Sequence, residues 1–560
     1  MKHSDGPLLV YGPRSRTYDF GPSHPLTPRR FGPGIELLAA VGAEPGLAPE
    51  PATDDELALC HDREYIGTVR SFSDDPSAPP RAGIGWDGDN PAFAGMHAAA
   101  AMVAGGSLRA VEAILRGDVE HAFHPGGGLH HAMRGHASGF CVYDDPALAI
   151  ARARRAGLRV LYVDLDVHHG DGVEALFRDD PGVLTVSFHE TGRSLFPGTG
   201  AADEVGRGSA AGTIVNVPFD AGAGEAVWLP AVRSLVPALA AAFGPDLVVS
   251  QHGADSHAWD PLAHLRVTTT AMGEAARIVD RVAHRWAAGR WLSTGGGGYD
   301  AYRVVPRTWS LVWLAGAHRE PPETTPAAWR ERWLAEGSRY GQAPLPETFA
   351  DPPNAGEPVD ALQLAAEEAS ARVVAAVREV MVPALLRVAE ERGWWSPDEP
   401  AADDVATAVP AGPPGSPTLM DLDAGMLDRL ALAARVIPPA DPGAGRSVVA
   451  AALADGASAA VAVDGDTIVG LGLVVDDRVM ALGVAPGYRR AGLATALLGR
   501  LLPREAVVTV AERDPVDPLP HADRLAIARR LLDRAGLEVR GATGAVASVD
   551  RSALSAVRRA

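Results

Sequence analysis

Cysteine is nearly missing from this chain: only Cys60 and Cys141 occur in 560 residues. That excludes a disulfide framework and any four-cysteine zinc site. Positive charge is in deficit too, with a formal net charge of -19. An acidic surface repels a phosphate backbone, so no nucleic-acid partner is expected. No run of about 18 apolar residues appears, so no membrane span or membrane partner is expected. The first residues, Met1 to Pro7, contain no apolar signal core, and a cytoplasmic location is the expectation. What is present is ordinary globular material, 47% hydrophobic and 22% charged. The length exceeds what one core accommodates, which predicts two or three domains.

One stretch organises the rest: Val163-Asp164-Leu165-Asp166-Val167-His168-His169-Gly170-Asp171-Gly172. It follows Leu158 to Tyr162, an apolar run short and branched enough for a buried parallel strand. Continued to His168, such a strand places Asp164, Asp166 and His168 on one side. Ligands bind at the carboxy-terminal ends of strands in open α/β sheets. A carboxylate and an imidazole two residues apart there can grip one metal ion.

Further strands are expected at Leu8 to Tyr11, Glu120 to His124, Val183 to Phe188, Thr213 to Val217, Asp246 to Gln251 and Trp291 to Ser293. Helical patterns cover roughly 92–116, 145–156, 225–243, 272–288 and 361–390. Strands alternating with helices predict an α/β fold, a mostly parallel sheet with helices on both faces. Four more segments end strand-like runs in polar residues: Pro125 to His131, Ser187 to His189, Ser250 to Asp255 and Thr294 to Tyr299. Their glycine runs suit a backbone that turns tightly or approaches something closely. The segment 395–417 is acidic, Pro- and Ala-rich and aperiodic, a linker composition. It divides a domain over 1–394 from a smaller one over 418–560.

The first domain resembles the arginase/histone-deacetylase superfamily, and within it the acetoin-utilisation deacetylases. The matching stretches are His61 to Ile66, His124 to His131, Ser138 to Cys141, Asp164 to Gly172, Phe196 to Gly200, Gly253 to Asp255 and Gly295 to Tyr299. The resemblance implies zinc, or iron(II) in its place, on Asp166, His168 and Asp255. It implies His131 as general base, with His130 tuning or protonating, and Asp164 and Asp171 as their respective carboxylate partners. Tyr299 would donate its hydroxyl to the oxyanion. Gly139, Phe140 and Phe196 match the walls of an acyl-lysine channel, and Leu195 stands where many relatives carry an aromatic. Asp89 matches a rim carboxylate, Arg30 an arginine lining a product channel, and Asp164 with Ser187 a structural potassium site.

The implied function is hydrolysis of acetyl-lysine on a protein, with an acetylated acyl-CoA synthetase as one target. Two other readings are acetylpolyamine hydrolysis and non-catalytic acetyl-lysine binding. An arginase-like pair of manganese ions needs a carboxylate where this chain has Gly170. The intact Tyr299 and paired histidines go beyond what binding alone requires. His24, His61, His97, His121, His136, His189 and His252 are expected to be structural. His3, His257, His264 and His521 are expected to face solvent.

In the second domain, Ser458 to Val463 and Thr467 to Val474 read as a hairpin, Val479 to Val484 as a further strand and Val507 to Ala511 as another. Arg489-Arg490-Ala491-Gly492-Leu493-Ala494 opens an apolar helix, where free N–H groups bind phosphate. It resembles the pyrophosphate loop of the GNAT acetyltransferases, implying acetyl-CoA as ligand in an α+β domain. Leu532 replaces the tyrosine that many such enzymes use as general acid, and Glu512 and Asp514 have no assigned role. Acetyl transfer and acetyl-CoA sensing therefore both stand.

Overall fold

The computed structural model describes residues 6–86, 88–352 and 360–394, and the backbone of several strands beyond them. The chain divides into two compact units, Met1–Glu391 and Arg392–Ala560.

The first unit is built on eight strands: β1 (Leu8–Val10), β2 (Pro45–Leu47), β3 (His121–His124), β4 (Val160–Asp164), β5 (Val183–Glu190), β6 (Ile214–Phe219), β7 (Leu247–Gln251) and β8 (Trp291–Thr294). Their order is β2-β1-β3-β8-β7-β4-β5-β6, and every pairing is parallel. All residues of β3, β4, β5, β7 and β8 are buried. That is why these strands read as short continuous apolar runs rather than as alternating ones.

Ala122, Tyr162, Val249 and Leu292 pack into one core with the helices Arg63–Asp74, Met96–Leu115 and Asp145–Arg155. The helices Glu225–Phe243, Thr269–Trp286 and Val305–Gly316 pack on one another and on the strands. Side-chain caps set two of the helix starts. Asp144 accepts from Ala147 N at 2.8 Å, and Thr268 from Ala271 N at 3.2 Å. Helices Met96–Leu115 and Glu225–Phe243 are long and apolar enough to cross a membrane by length and composition. Both are mostly buried inside this unit.

One expectation needs correction. The strand carrying the metal-ligand motif stops at Asp164 instead of running to His168. Leu165 N still reaches Gln251 O at 3.0 Å, but the backbone then turns onto its own side chains. Asp166 N donates to Asp164 Oδ1 at 3.2 Å, and His168 N to Asp166 Oδ1 at 3.0 Å. Local hydrogen bonds, not strand period, therefore hold Asp166 and His168.

In the second unit, the expected hairpin is an antiparallel pair, β10 (Ser458–Asp464) with β11 (Thr467–Val475). It is flanked by β9 (Thr418–Asp421) and β12 (Arg478–Val484), giving the order β12-β11-β10-β9. A separate three-stranded sheet joins β13 (Glu505–Thr509), β15 (Val546–Asp550) and β14 (Glu538–Thr543) in that order. The expected linker, the Arg489 to Ala494 loop, Glu512, Asp514 and Leu532 lie outside the described residues, as do His3 and His521.

Candidate active site

Four segments following neighbouring strands converge at the carboxy-terminal edge of the parallel sheet. β3 leads to His130 and His131, β4 to Asp166 and His168, β7 to Asp255, and β8 to Tyr299. Convergence of this kind is what the edge of an open α/β sheet provides.

Asp166, His168 and Asp255 are all buried, and one donor atom of each lies within 4.8 Å of the others. His168 Nδ1 is 3.0 Å from Asp166 Oδ1 and 3.2 Å from Asp255 Oδ2. The outer oxygen of Asp166 is pinned by Gln251 Nε2 at 2.6 Å and Gly297 N at 2.8 Å. Asp255 Oδ1 accepts from Val167 N at 3.1 Å, and Asp255 Oδ2 faces His168 Nδ1 at 3.2 Å. A side chain at Gly297 would run into the Asp255 carboxylate, so only glycine allows this approach. Burial lowers the pKa of His168, but hydrogen bonds and charge from the two carboxylates outweigh it and raise it to about 10. Burial and the Asp166 charge push Asp255 up to about 6. Two buried carboxylates converging on one imidazole concentrate negative charge at one point. Two carboxylates and an imidazole, neutral once a cation takes the place of its proton, fit a divalent ion with open positions remaining.

Beside that point stand two histidines, each with its own carboxylate. His130 Nδ1 is 2.7 Å from Asp164 Oδ2, and His131 Nδ1 is 2.6 Å from Asp171 Oδ1. Their Nε2 atoms face each other at 3.1 Å. Burial works to lower both rings, and the outcome differs with the surrounding charge. The charges of Asp164 and Asp166 raise His130 to about 10. Burial and the His130 charge hold His131 down to about 4. The surroundings thus favour the charged form of His130 and the neutral form of His131.

Tyr299 sits across the pocket, its N–H donated to Asp260 Oδ2 and its carbonyl accepting from Gln342 Nε2, both at 2.9 Å. Burial and then the charges of Asp255 and Asp166 push its hydroxyl pKa well up, so it stays a donor. Phe140 meets the Tyr299 ring edge-on at 6.0 Å, and Phe196 meets His131 at 5.0 Å. Phe196 is partly open to solvent and Leu195 beside it is half-buried. Gly139 at φ +50° leaves the space that a side chain would take from His131 and Phe196. Phe140 itself holds φ +68°, an unfavourable angle for a bulky residue.

Asp89 is exposed, and its carbonyl oxygen lies 3.2 Å from His24 Nε2. It lines a cleft of about 400 Å³ together with Asn90, Ser138 and Gly139. Arg30 is buried, donates to Gly296 O at 2.6 Å and lies over the Trp309 ring. Asp164 and Ser187 are direct partners on adjacent strands β4 and β5. Ser187 Oγ is also 2.9 Å from His189 Nδ1.

Several contributors escaped sequence reasoning. Asp145 accepts from Gly128 N and Leu129 N at 3.0 and 2.8 Å, fixing the loop that ends in His130. Tyr18 donates to Phe140 O at 2.8 Å and accepts from Val142 N at 3.1 Å, bracing the strained wall residue. Tyr162 adds a third contact to Asp164, at 2.7 Å. His257, expected in solvent, is buried against Asp351 at 2.9 Å, because Asp351 also takes the buried guanidinium of Arg307 at 2.8 Å. His264 is largely exposed, as expected, with Nδ1 2.9 Å from Glu190. Neither Asp145 nor Tyr18 sits in a recognisable local pattern, since their partners are 16 or more residues away.

Fold and site together define a deacetylase-type hydrolase. The chain belongs to the histone deacetylase family, whose domain model, described as "Histone deacetylase domain", matches residues 24–315. It is 40% identical over 360 residues to the acetoin utilization protein AcuC of Bacillus subtilis, covering 63% of this chain and 92% of the relative. The corresponding protein of Staphylococcus xylosus is 36% identical over 348 residues, covering 61% and 90%. Among solved structures, a histone deacetylase homologue from Aquifex aeolicus aligns with a TM-score of 0.56 at 27% identity, covering 65% of this chain and 99% of that one. A homologue complexed with SAHA aligns with the same score and identity, covering 65% and 100%.

Proposed function

We propose that the first unit hydrolyses acetyl-lysine amides on protein substrates as an acetoin-utilisation-type deacetylase. The observation that carries this reading is the pair of histidines, His130 on Asp164 and His131 on Asp171, beside a buried Asp166–His168–Asp255 trio. A divalent ion held by that trio, zinc or iron(II), would supply Lewis-acid polarisation of the amide carbonyl and make a water more acidic.

The chain's own residues do the rest. His131, held neutral, accepts the water proton at Nε2 while Asp171 fixes its other nitrogen as the donor. His130, held charged, has a proton to deliver to the leaving amine nitrogen. Tyr299 donates its hydroxyl to the carbonyl oxygen as negative charge develops there. Phe140 and Phe196 line the path of an extended alkyl chain, and Asp89 at the rim can accept a hydrogen bond from a substrate backbone N–H. Arg30 offers a buried cation to the acetate product. Asp164 with Ser187 would hold a structural potassium ion. An acetylated acyl-CoA synthetase is the proposed target, in a cytoplasmic setting.

The second unit is read as a GNAT-like domain that binds acetyl-CoA through Arg489 to Ala494, either to transfer acetyl groups or to sense their supply. The support is the motif's place after a hairpin and a further strand. Its proposed extent is 418–560, joined by the 395–417 linker.

The test of the first unit is a panel of acetyl-lysine peptides, acetylpolyamines and acylated synthetase offered to the zinc-loaded chain. Turnover of lysyl substrates is expected, and turnover of acetylpolyamines alone would overturn the reading. For the second unit, titration calorimetry should register acetyl-CoA with the whole chain and not with one ending at residue 400. No heat from the whole chain would remove it.

A further inference from the structure

β3 reaches the catalytic pocket at one end only. At its other end four ligand-type side chains meet. His121 begins β3, Asp280 and His284 stand one turn apart on the Thr269–Trp286 helix, and His318 follows the Val305–Gly316 helix. His121 Nε2 lies 3.0 Å from His284 Nε2 and 3.2 Å from Asp280 Oδ1. His318 Nε2 lies 3.1 Å from His284 Nε2 and 3.2 Å from Asp280 Oδ1. His284 Nε2 is 3.5 Å from the same carboxylate oxygen. One donor atom from each of the four lies within 4.8 Å of the rest.

Hydrogen bonding serves this arrangement poorly. A ring nitrogen either donates one hydrogen or accepts through one lone pair. Yet His284 Nε2 faces two other Nε2 atoms and a carboxylate oxygen, all within 3.5 Å. A shared cation satisfies all four atoms at once. With zinc–ligand bonds of about 2.0–2.1 Å, the edges of a ligand tetrahedron are about 3.3 Å long. The five distances above run from 3.0 to 3.5 Å.

We propose that His121, Asp280, His284 and His318 form a second metal site, for a divalent transition ion of the zinc class. Three imidazoles and one carboxylate select such an ion over magnesium or calcium. Four protein ligands leave no open position, so the ion's role is structural. It ties the start of β3 to a helix far along the chain, His284 being 163 residues beyond His121, and to the segment that follows the next helix. Entry is from solvent on the His318 side, where that side chain is 56% exposed against 6% for His121.

Cobalt(II) reports the geometry through its visible absorption. The full chain, made without a polyhistidine tag, carries His168→Ala and Asp255→Asn to silence the catalytic trio. It should bind one equivalent of cobalt with the intense bands of tetrahedral coordination, displaced by zinc. Adding His284→Ala should abolish the spectrum, and His318→Ala should weaken binding at least about tenfold with unchanged circular dichroism. A silenced chain that takes up no cobalt, or takes it up equally tightly with His284→Ala, overturns the site. Should the silenced chain fail to fold, zinc content decides: two equivalents in the unaltered chain against one in His284→Ala. Equal content in both overturns it as well.

Discussion

The two ends of the parallel sheet use the same side chains and do opposite things with them. At the carboxy-terminal end His130 and His131 each own a carboxylate, and their facing nitrogens differ in protonation. At the amino-terminal end three rings share Asp280, and their Nε2 atoms turn inward on one point. Private partners keep two imidazoles distinct, which acid–base chemistry requires. A shared partner turns three ring nitrogens toward one point, which suits holding an ion. The carboxylate count, more than the histidine count, separates a reactive site from a closed one.

Among changes that leave the proposed metal ligands in place, the largest effect should follow from the one donor that has no counterpart at the other end. Tyr299→Phe removes a hydroxyl and little else, and kcat should fall about 10²–10³-fold with metal content unchanged. A kcat within twofold of the parent would take Tyr299 out of the chemistry. Asp171→Asn attacks private pairing itself. It leaves the shape of the pocket but unsettles the His131 tautomer, and turnover should fall about 10–100-fold. Steady-state kinetics on an acetyl-lysine peptide measures both.

A smaller but more diagnostic effect lies in the pH profile. In its proposed role His131 works when deprotonated, so the rate should fall as pH drops through its value of about 4. His130 works when protonated, so the rate falls as pH rises through about 10. The charge of His130 is one cause of the low His131 value. His130→Gln should therefore move the acid limb upward, toward the ordinary 6.5 of histidine. An acid limb that stays put would mean the two rings are not coupled. The smallest effect is expected from Tyr18→Phe. The brace on Phe140 is worth about 1 kcal/mol, so KM should rise a few-fold with kcat nearly unchanged.

Much of this was legible in the chain. The central strands are buried on both faces, so their apolar runs locate β5, β7 and the start of β4 to within a residue or two. The polar residues just beyond them mark the pocket for the same reason. Illegible were the features made by distant partners. His257 is internal because Asp351, 94 residues on, is buried beside it. His121 meets His284 across 163 residues and gives no local spacing to read. The end of β4 was misplaced because period-2 reasoning ignores side chains that capture their own backbone, as Asp164 and Asp166 do.

Metal dependence of acetyl-lysine hydrolysis is the most direct test of the catalytic end. The chain stripped of metal should be inactive, regain turnover on stoichiometric zinc or iron(II), and show none with His168→Ala at any metal concentration. Undiminished hydrolysis by the stripped chain, or by His168→Ala, would contradict a cation held between Asp166, His168 and Asp255.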